Sequence, residues 1–335
     1  MFYFFEMLIM KFTKLIRNLS FLLSSSIICF VTSAQTYPNP TTPSRIEIHA
    51  LPTQTFTGDE FLKGSTKGVV HMLAVELRIP QVQKAKFPAV VLIHGSGGLG
   101  SNIDMWVHEL NKAGIATLIV DTFSGRGITS TVQDQTLLHS LAMMVDSYRA
   151  LDMLSKHPRI DASKISIIGF SKGAVASIFS STTRFKELYG SSAKFASHIG
   201  LYTPCNTRFI GDSAVTGAPM RLFHGTADDY VNVVPCRAYV QELKSKGVDI
   251  SLTEFPDTQH GYDSPLSPRK VAVPTAQSTR QCQFIEKNKG ELFNAQSGAP
   301  FSYSDPCVQI GAHIGHNPES TEQTVKSVVS FLQTL

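Results

Sequence analysis

The chain has 335 residues, of which 42% are hydrophobic and 17% charged, with a formal net charge of +4. This balance belongs to a globular protein that buries a real core, and it excludes a disordered or coiled-coil chain. There is no basic run and no interleaving of basic with aromatic residues, so nucleic acid is not an implied partner.

Chain order begins with Lys11, Lys14 and Arg17, then the apolar run Leu19–Val31, then Thr32-Ser33-Ala34. Basic, apolar, then small is the order of a secretory signal peptide, with cleavage after Ala34. Met10 stands immediately before the basic patch and is an alternative start to Met1. The apolar run is interrupted by Ser24, Ser25 and Ser26 and falls short of the roughly 20 residues needed to span a bilayer. The expectation is an exported protein, periplasmic or secreted, with no stable membrane insertion once residues 1–34 are gone. Their loss removes Lys11, Lys14, Arg17 and Glu6, leaving 27 Lys+Arg against 25 Asp+Glu and a net charge of +2.

Residues 35–44, rich in Pro and Thr, read as a flexible leader. Arg45–Ala50 and Gly68–Arg78 are rich in β-branched and apolar residues and predict opening strands. Ala89–Ile93 is fully apolar and ends in glycines, the pattern of a strand buried on both faces. A helix over about Ile103–Ala113, a strand at Ala116–Val120, a long helix over about Gln133–Lys156 and a strand at Ile165–Ile168 follow. The alternation continues through strands near Phe195–Tyr202, Met220–Phe223 and Ile250–Glu254, a helix at about Val234–Lys246 and a last helix at about Glu319–Thr334. Strands alternating with helices predict a mostly parallel α/β sheet covered on both faces, in one domain over residues 45–335.

The polar stretch from Gly261 to about Pro318 breaks this rhythm. A structureless loop of that length in a compact domain is improbable. Of the five cysteines, Cys29 leaves with the signal, and the remaining Cys205, Cys236, Cys282 and Cys307 make an even set in a chain bound for an oxidising compartment. A Cys282–Cys307 bridge would hold the excursion in shape, and its position directly after His260 places it over the mouth of a site. No C-x-x-C or Cys/His cluster suggests a metal.

Gly169-Phe170-Ser171-Lys172-Gly173 fits G-x-S-x-G between a buried strand and the small-residue helix that starts at Ala174. A nucleophile at a sharp strand-to-helix turn needs glycine on both sides, and Ser171 is the expected nucleophile. Serine needs a base oriented by an acid, and in this arrangement the chain order is Ser, acid, His. Asp228 follows the strand Met220–Phe223 and is the expected acid, with Asp229 as a solvated neighbour and His224 structural. His260 follows Ile250–Glu254 and precedes Gly261; it is the expected base. The oxyanion donors are expected from the amide of Lys172 and from His94-Gly95-Ser96-Gly97-Gly98, around Ser96 and Gly97.

Phe87–Gly98, Ile167–Gly173, His224–Asp228 and Gln259–Tyr262, in that order, resemble the dienelactone hydrolase family of α/β-hydrolases, and more narrowly its exported bacterial branch. The resemblance implies an α/β-hydrolase fold, hydrolysis of small-molecule esters or lactones without metal or organic cofactor, and a triad at Ser171, Asp228 and His260. The family's best-known members carry cysteine in the elbow and a glutamate in the early loop. Ser171 and His-Gly-Ser-Gly-Gly here imply a general esterase instead. Arg126, in the loop after Ala116–Val120, is expected to hold a substrate carboxylate, with a solvated surface arginine as the alternative. Cys205 and Cys236 fall at the carboxyl edge of neighbouring strands, where a bridge would brace the acid loop. A peptidase or acyltransferase on the same triad, or a non-catalytic binding protein, are the rival readings. Oligomeric state is not legible.

Overall fold

The computed structural model describes residues 45–335, so the expected signal segment 1–34 and leader 35–44 lie outside the described residues. An eight-stranded sheet runs in the order β1 (Arg45–Thr55), β2 (Val69–Ile79), β4 (Ala116–Asp121), β3 (Phe87–Ile93), β5 (Ile160–Phe170), β6 (His198–Leu201), β8 (Met220–Gly225) and β9 (Ile250–Phe255). The pairs β1–β2 and β2–β4 are antiparallel; every other neighbour from β4 to β9 is parallel.

The apolar run in β3 explains its central place. Ala89, Val91 and Ile93 point into one core and Val90 and Leu92 into the other, so the strand has no polar face to offer water. The first core is closed by α3 (Ser140–Ser155), α4 (Lys172–Phe179), α6 (Val234–Ser245) and the shorter α1 (Gly58–Leu62) and α5 (Thr183–Tyr189). The second is closed by α2 (Ser101–Lys112), through Trp106 and Leu110, and by α7 (Pro318–Gln333), through Val328 and Leu332. Each such fully buried side chain contributes roughly 1.5–3 kcal/mol.

Two elements depart from expectation. The helix expected from Gln133 starts only at Ser140, where the His139 ring accepts the Leu141 N–H and caps it. Upstream, the backbone of Gln135 is drawn elsewhere: its N–H donates to Gln277 and its carbonyl accepts from Lys172 Nζ.

The excursion after His260 is built of strands. β10 (Val271–Ser278) pairs antiparallel with β13 (Gln309–Ile314), while β11 (Phe284–Lys287) pairs with β12 (Glu291–Asn294) and, in parallel, with the two-residue β7 (Thr207–Arg208). The bridges are Cys205–Cys236 and Cys282–Cys307. Buried Glu286 of β11 accepts from both terminal guanidinium nitrogens of Arg184 at 2.8 Å, tying the excursion to α5. Among the described residues no helix is long and apolar enough to cross a membrane.

Candidate active site

Ser171 sits between β5 and α4 with φ 52° and ψ −115°, a conformation that non-glycine residues rarely adopt. Both flanking glycines are obligatory there. A Cβ on Gly169 would lie 2.2 Å from the Gly173 carbonyl oxygen, and one on Gly173 would lie 2.2 Å from that of Ile93. The sharp turn lifts the Ser171 hydroxyl over the carboxyl edge of the sheet.

His260 Nε2 lies 2.9 Å from Ser171 Oγ, and His260 Nδ1 lies 2.7 Å from Asp228 Oδ2. The loops that carry Asp228 and His260 are laced together, since Ala227 N–H donates to the Thr258 carbonyl. Asp228 Oδ1 accepts the N–H groups of Tyr230 and Val231 at 2.9 and 2.8 Å. Its side chain is completely buried. Burial by itself pushes the carboxyl up, but His260 and His224 beside it outweigh that and hold it well below the usual carboxylate range. His224 is more than a strand end: its Nε2 lies 3.0 Å from the Val231 carbonyl oxygen and 3.3 Å from Asp228 Oδ2. Asp229 is not a merely solvated neighbour either. It accepts from the backbone N–H of His313 and pairs with that ring's Nδ1, each at 2.7 Å, so that β13 clasps the loop of Asp228.

The His260 ring is held between two tyrosines, with Tyr202 centred 4.6 Å away and Tyr230 4.9 Å away. Tyr202 is anchored in turn, donating to buried Asp263, which also accepts from Trp106 Nε1. Burial raises the Asp263 carboxyl against the pull of those two donors.

The loop after β3 is set by His94. It is buried, and that burial lowers its pKa; its ring accepts the Thr122 N–H at Nε2, which leaves Nδ1–H to donate to the Gly95 carbonyl at 2.8 Å. The same carbonyl accepts from Gly98 N–H, and the Ser96 carbonyl accepts from Thr131 N–H. With those carbonyls pinned, the N–H groups of Ser96 and Gly97 find no acceptor among the described residues. Lys172 opens α4, where its own N–H has no intrahelical partner. Ser96 lines the cavity beside Ser171; Gly97 does not.

That cavity, about 120 Å3, is lined by Ser171, Lys172, Gln135 and Tyr230 from the main fold and by Arg280 and Tyr303 from the excursion, which roofs it. No Asp or Glu lines it. Lys172 is the unexpected member. Its side chain turns inward, with Nζ 3.0 Å from Gln135 Oε1 and 3.2 Å from both Thr131 Oγ1 and the Gln135 carbonyl oxygen. Burial drives its ammonium from the ordinary 10.5 down to about 7, only partly opposed by Asp134. The linkage has a definite sign: between about 7 and 10.5 the unfolded chain holds the proton that the folded one has lost, so stability rises with pH. Against a Lys172→Met variant, the melting temperature of the parent should therefore gain as pH rises from 7 to 10. Melting curves that stay parallel across that range would contradict it.

Arg126 does not reach the cavity. Its guanidinium forks onto Asp146 at 2.8 Å through both terminal nitrogens, while Nε donates to Thr55 Oγ1 and one terminal nitrogen to the Thr122 carbonyl, each at 2.7 Å. With 2% of its side chain exposed, it is a core ion pair and neither a substrate clamp nor a surface residue. The sequence signal missed was Asp146, an acid on the apolar face of α3. The side chains of Lys172, Gln135, Tyr230 and Arg280 were equally absent from the expected site, because inward orientation of polar residues follows no periodicity.

The family model for the dienelactone hydrolase family matches residues 74–334. The chain belongs to the dienelactone hydrolase family. Its fold is accordingly that of the α/β-hydrolases. The chain is similar to a dienelactone hydrolase-like promiscuous phosphotriesterase from metagenomic libraries, with 14% identity, a TM-score of 0.55, and 87% of this chain and 98% of that one covered. It is also similar to a proposed dienelactone hydrolase from Klebsiella pneumoniae subsp. pneumoniae MGH 78578, at 11% identity and a TM-score of 0.54, covering 86% of this chain and 100% of that one. A search of curated proteins finds no match.

Proposed function

We propose that the protein is a serine carboxylesterase that cleaves small esters or lactones through an acyl-enzyme, in one catalytic domain over residues 45–335. The observation that carries this reading is the unbroken relay from Ser171 Oγ to His260 Nε2 and from His260 Nδ1 to Asp228, at 2.9 and 2.7 Å, opening on a cavity. Ser171 Oγ attacks the carbonyl carbon and His260 Nε2 takes its proton. Asp228, kept ionised, fixes the Nδ1–H tautomer and stabilises the imidazolium. The carbonyl oxygen, now negative, is held by the amide of Lys172 and one from the Ser96–Gly97 turn, each such donor being worth about 3 kcal/mol in the transition state. His260 then protonates the departing alkoxide, and a water, deprotonated by the same imidazole, releases the acid.

The size of the cavity favours a short acyl group. The guanidinium of Arg280 among its lining residues, with no carboxylate, suits a neutral or negatively charged substrate. Export to the periplasm or beyond accords with the two disulfides. Turnover of p-nitrophenyl esters of graded chain length tests the reading. Acetate and butyrate should be hydrolysed and long-chain esters not; the reverse order, or no ester turnover at all, would refute it.

A further inference from the structure

The side-chain oxygen of Gln135 gathers three donors: Lys172 Nζ at 3.0 Å, Ser96 Oγ at 3.2 Å and Thr131 Oγ1 at 3.4 Å. Lys172 and Ser96 are also the residues whose backbone amides stand free at the elbow and in the turn after β3. The Ser96 hydroxyl has no partner but Gln135 among the described residues. The Ser96 carbonyl accepts from Thr131 N–H at 2.8 Å and from Ser130 Oγ at 3.2 Å. A peptide unit is planar and trans, so holding that carbonyl fixes the direction of the Gly97 N–H on its far side. Gln135 is itself anchored, its N–H donating to Gln277 Oε1 of β10 at 2.8 Å.

Satisfying a buried ammonium does not by itself account for this side chain. Thr131 Oγ1 and the Gln135 backbone carbonyl already accept from Lys172 Nζ, each at 3.2 Å. What the side chain adds is the reach across to Ser96. Two oxyanion donors act together only if both meet the same oxygen, and a misplacement of about 1 Å can cost roughly 10²-fold in rate. Resting on the reading of Ser171 as nucleophile and of the Lys172 and Ser96–Gly97 amides as its oxyanion donors, we propose that Gln135 is a positioning residue. Its side-chain oxygen ties the elbow to the turn and fixes the separation of the two donors.

Gln135→Met and Ser96→Ala cut this tie from its two ends, and both leave the charge and every backbone amide unchanged. On p-nitrophenyl acetate each should lower kcat about tenfold or more with KM within about twofold of the parent, because the donors act on the transition state. The double variant should be no slower than the slower single one, since the second change has nothing left to cut. Losses that multiply in the double variant overturn the proposal. So does a Gln135→Met protein that melts lower yet turns over at the parental kcat, in which the glutamine only serves the ammonium. If Gln135→Met does not fold, parental kcat in Ser96→Ala overturns it alone. Turnover by the parent, lost in Ser171→Ala, is established first. Its absence refutes the nucleophile reading and this one with it, whereas parental rates in both variants refute the role of Gln135 alone.

Discussion

Ser171→Ala should fold and melt like the parent while losing on the order of 10⁶-fold in kcat. The hydroxyl caps no helix group and has one bond, to His260 Nε2, so its removal leaves the packing of the elbow untouched. Residual rate should come from the oxyanion donors and from substrate binding alone. Asp228→Asn provides the graded comparison. The N–H groups of Tyr230 and Val231 keep the loop in place, but the amide favours the wrong imidazole tautomer, and a loss of about 10⁴-fold is expected. Steady-state kinetics with circular dichroism on all three proteins checks both. Full activity in Ser171→Ala would remove the mechanism.

The second large effect is on stability. Arg126→Ala should destabilise the protein by about 3–5 kcal/mol, because it strands the fully buried carboxylate of Asp146 without its partner. Burial already raises the Asp146 carboxyl, and the Arg126 guanidinium with Thr53 Oγ1 opposes that rise. Replacing both residues by apolar ones, Arg126→Met with Asp146→Leu, should restore most of the loss, since a buried pair exchanged for hydrophobic groups of similar volume is often neutral. Denaturant unfolding measures both, and kcat/KM of the folded fraction should be unaffected. If Arg126→Ala instead unfolds at the parental midpoint and shows a raised KM for acidic esters, the arginine is a substrate clamp after all.

The contrast between these two predictions shows where the sequence was readable. Ser171, Asp228 and His260 each follow a strand of the sheet, and runs such as Ala89–Ile93 announce the buried ones by composition alone. Once the strands are parallel neighbours, their carboxyl ends converge on one edge, so residues distant in sequence meet there. What was not readable is the direction of individual polar side chains. Arg126 lies in a loop at that edge and turns inward to Asp146, while Lys172, next to Ser171, turns into the cavity and not toward solvent. Both outcomes depend on a partner elsewhere in the chain. The strands of the excursion were hidden for a related reason. β11 and β12 have only four residues each, with mixed burial, too short for a period-two pattern to stand out from a polar background. The helix expected from Gln133 was over-extended because its first turns are spent on contacts to Gln277 and Lys172, neither of which is local.

The most direct test of the central claim is intact-mass analysis of the protein after treatment with a fluorophosphonate, with peptide mapping of the product. The relay at Ser171 predicts a single adduct, on Ser171, absent from the Ser171→Ala variant. No adduct on folded protein, or an adduct on another residue, would contradict it.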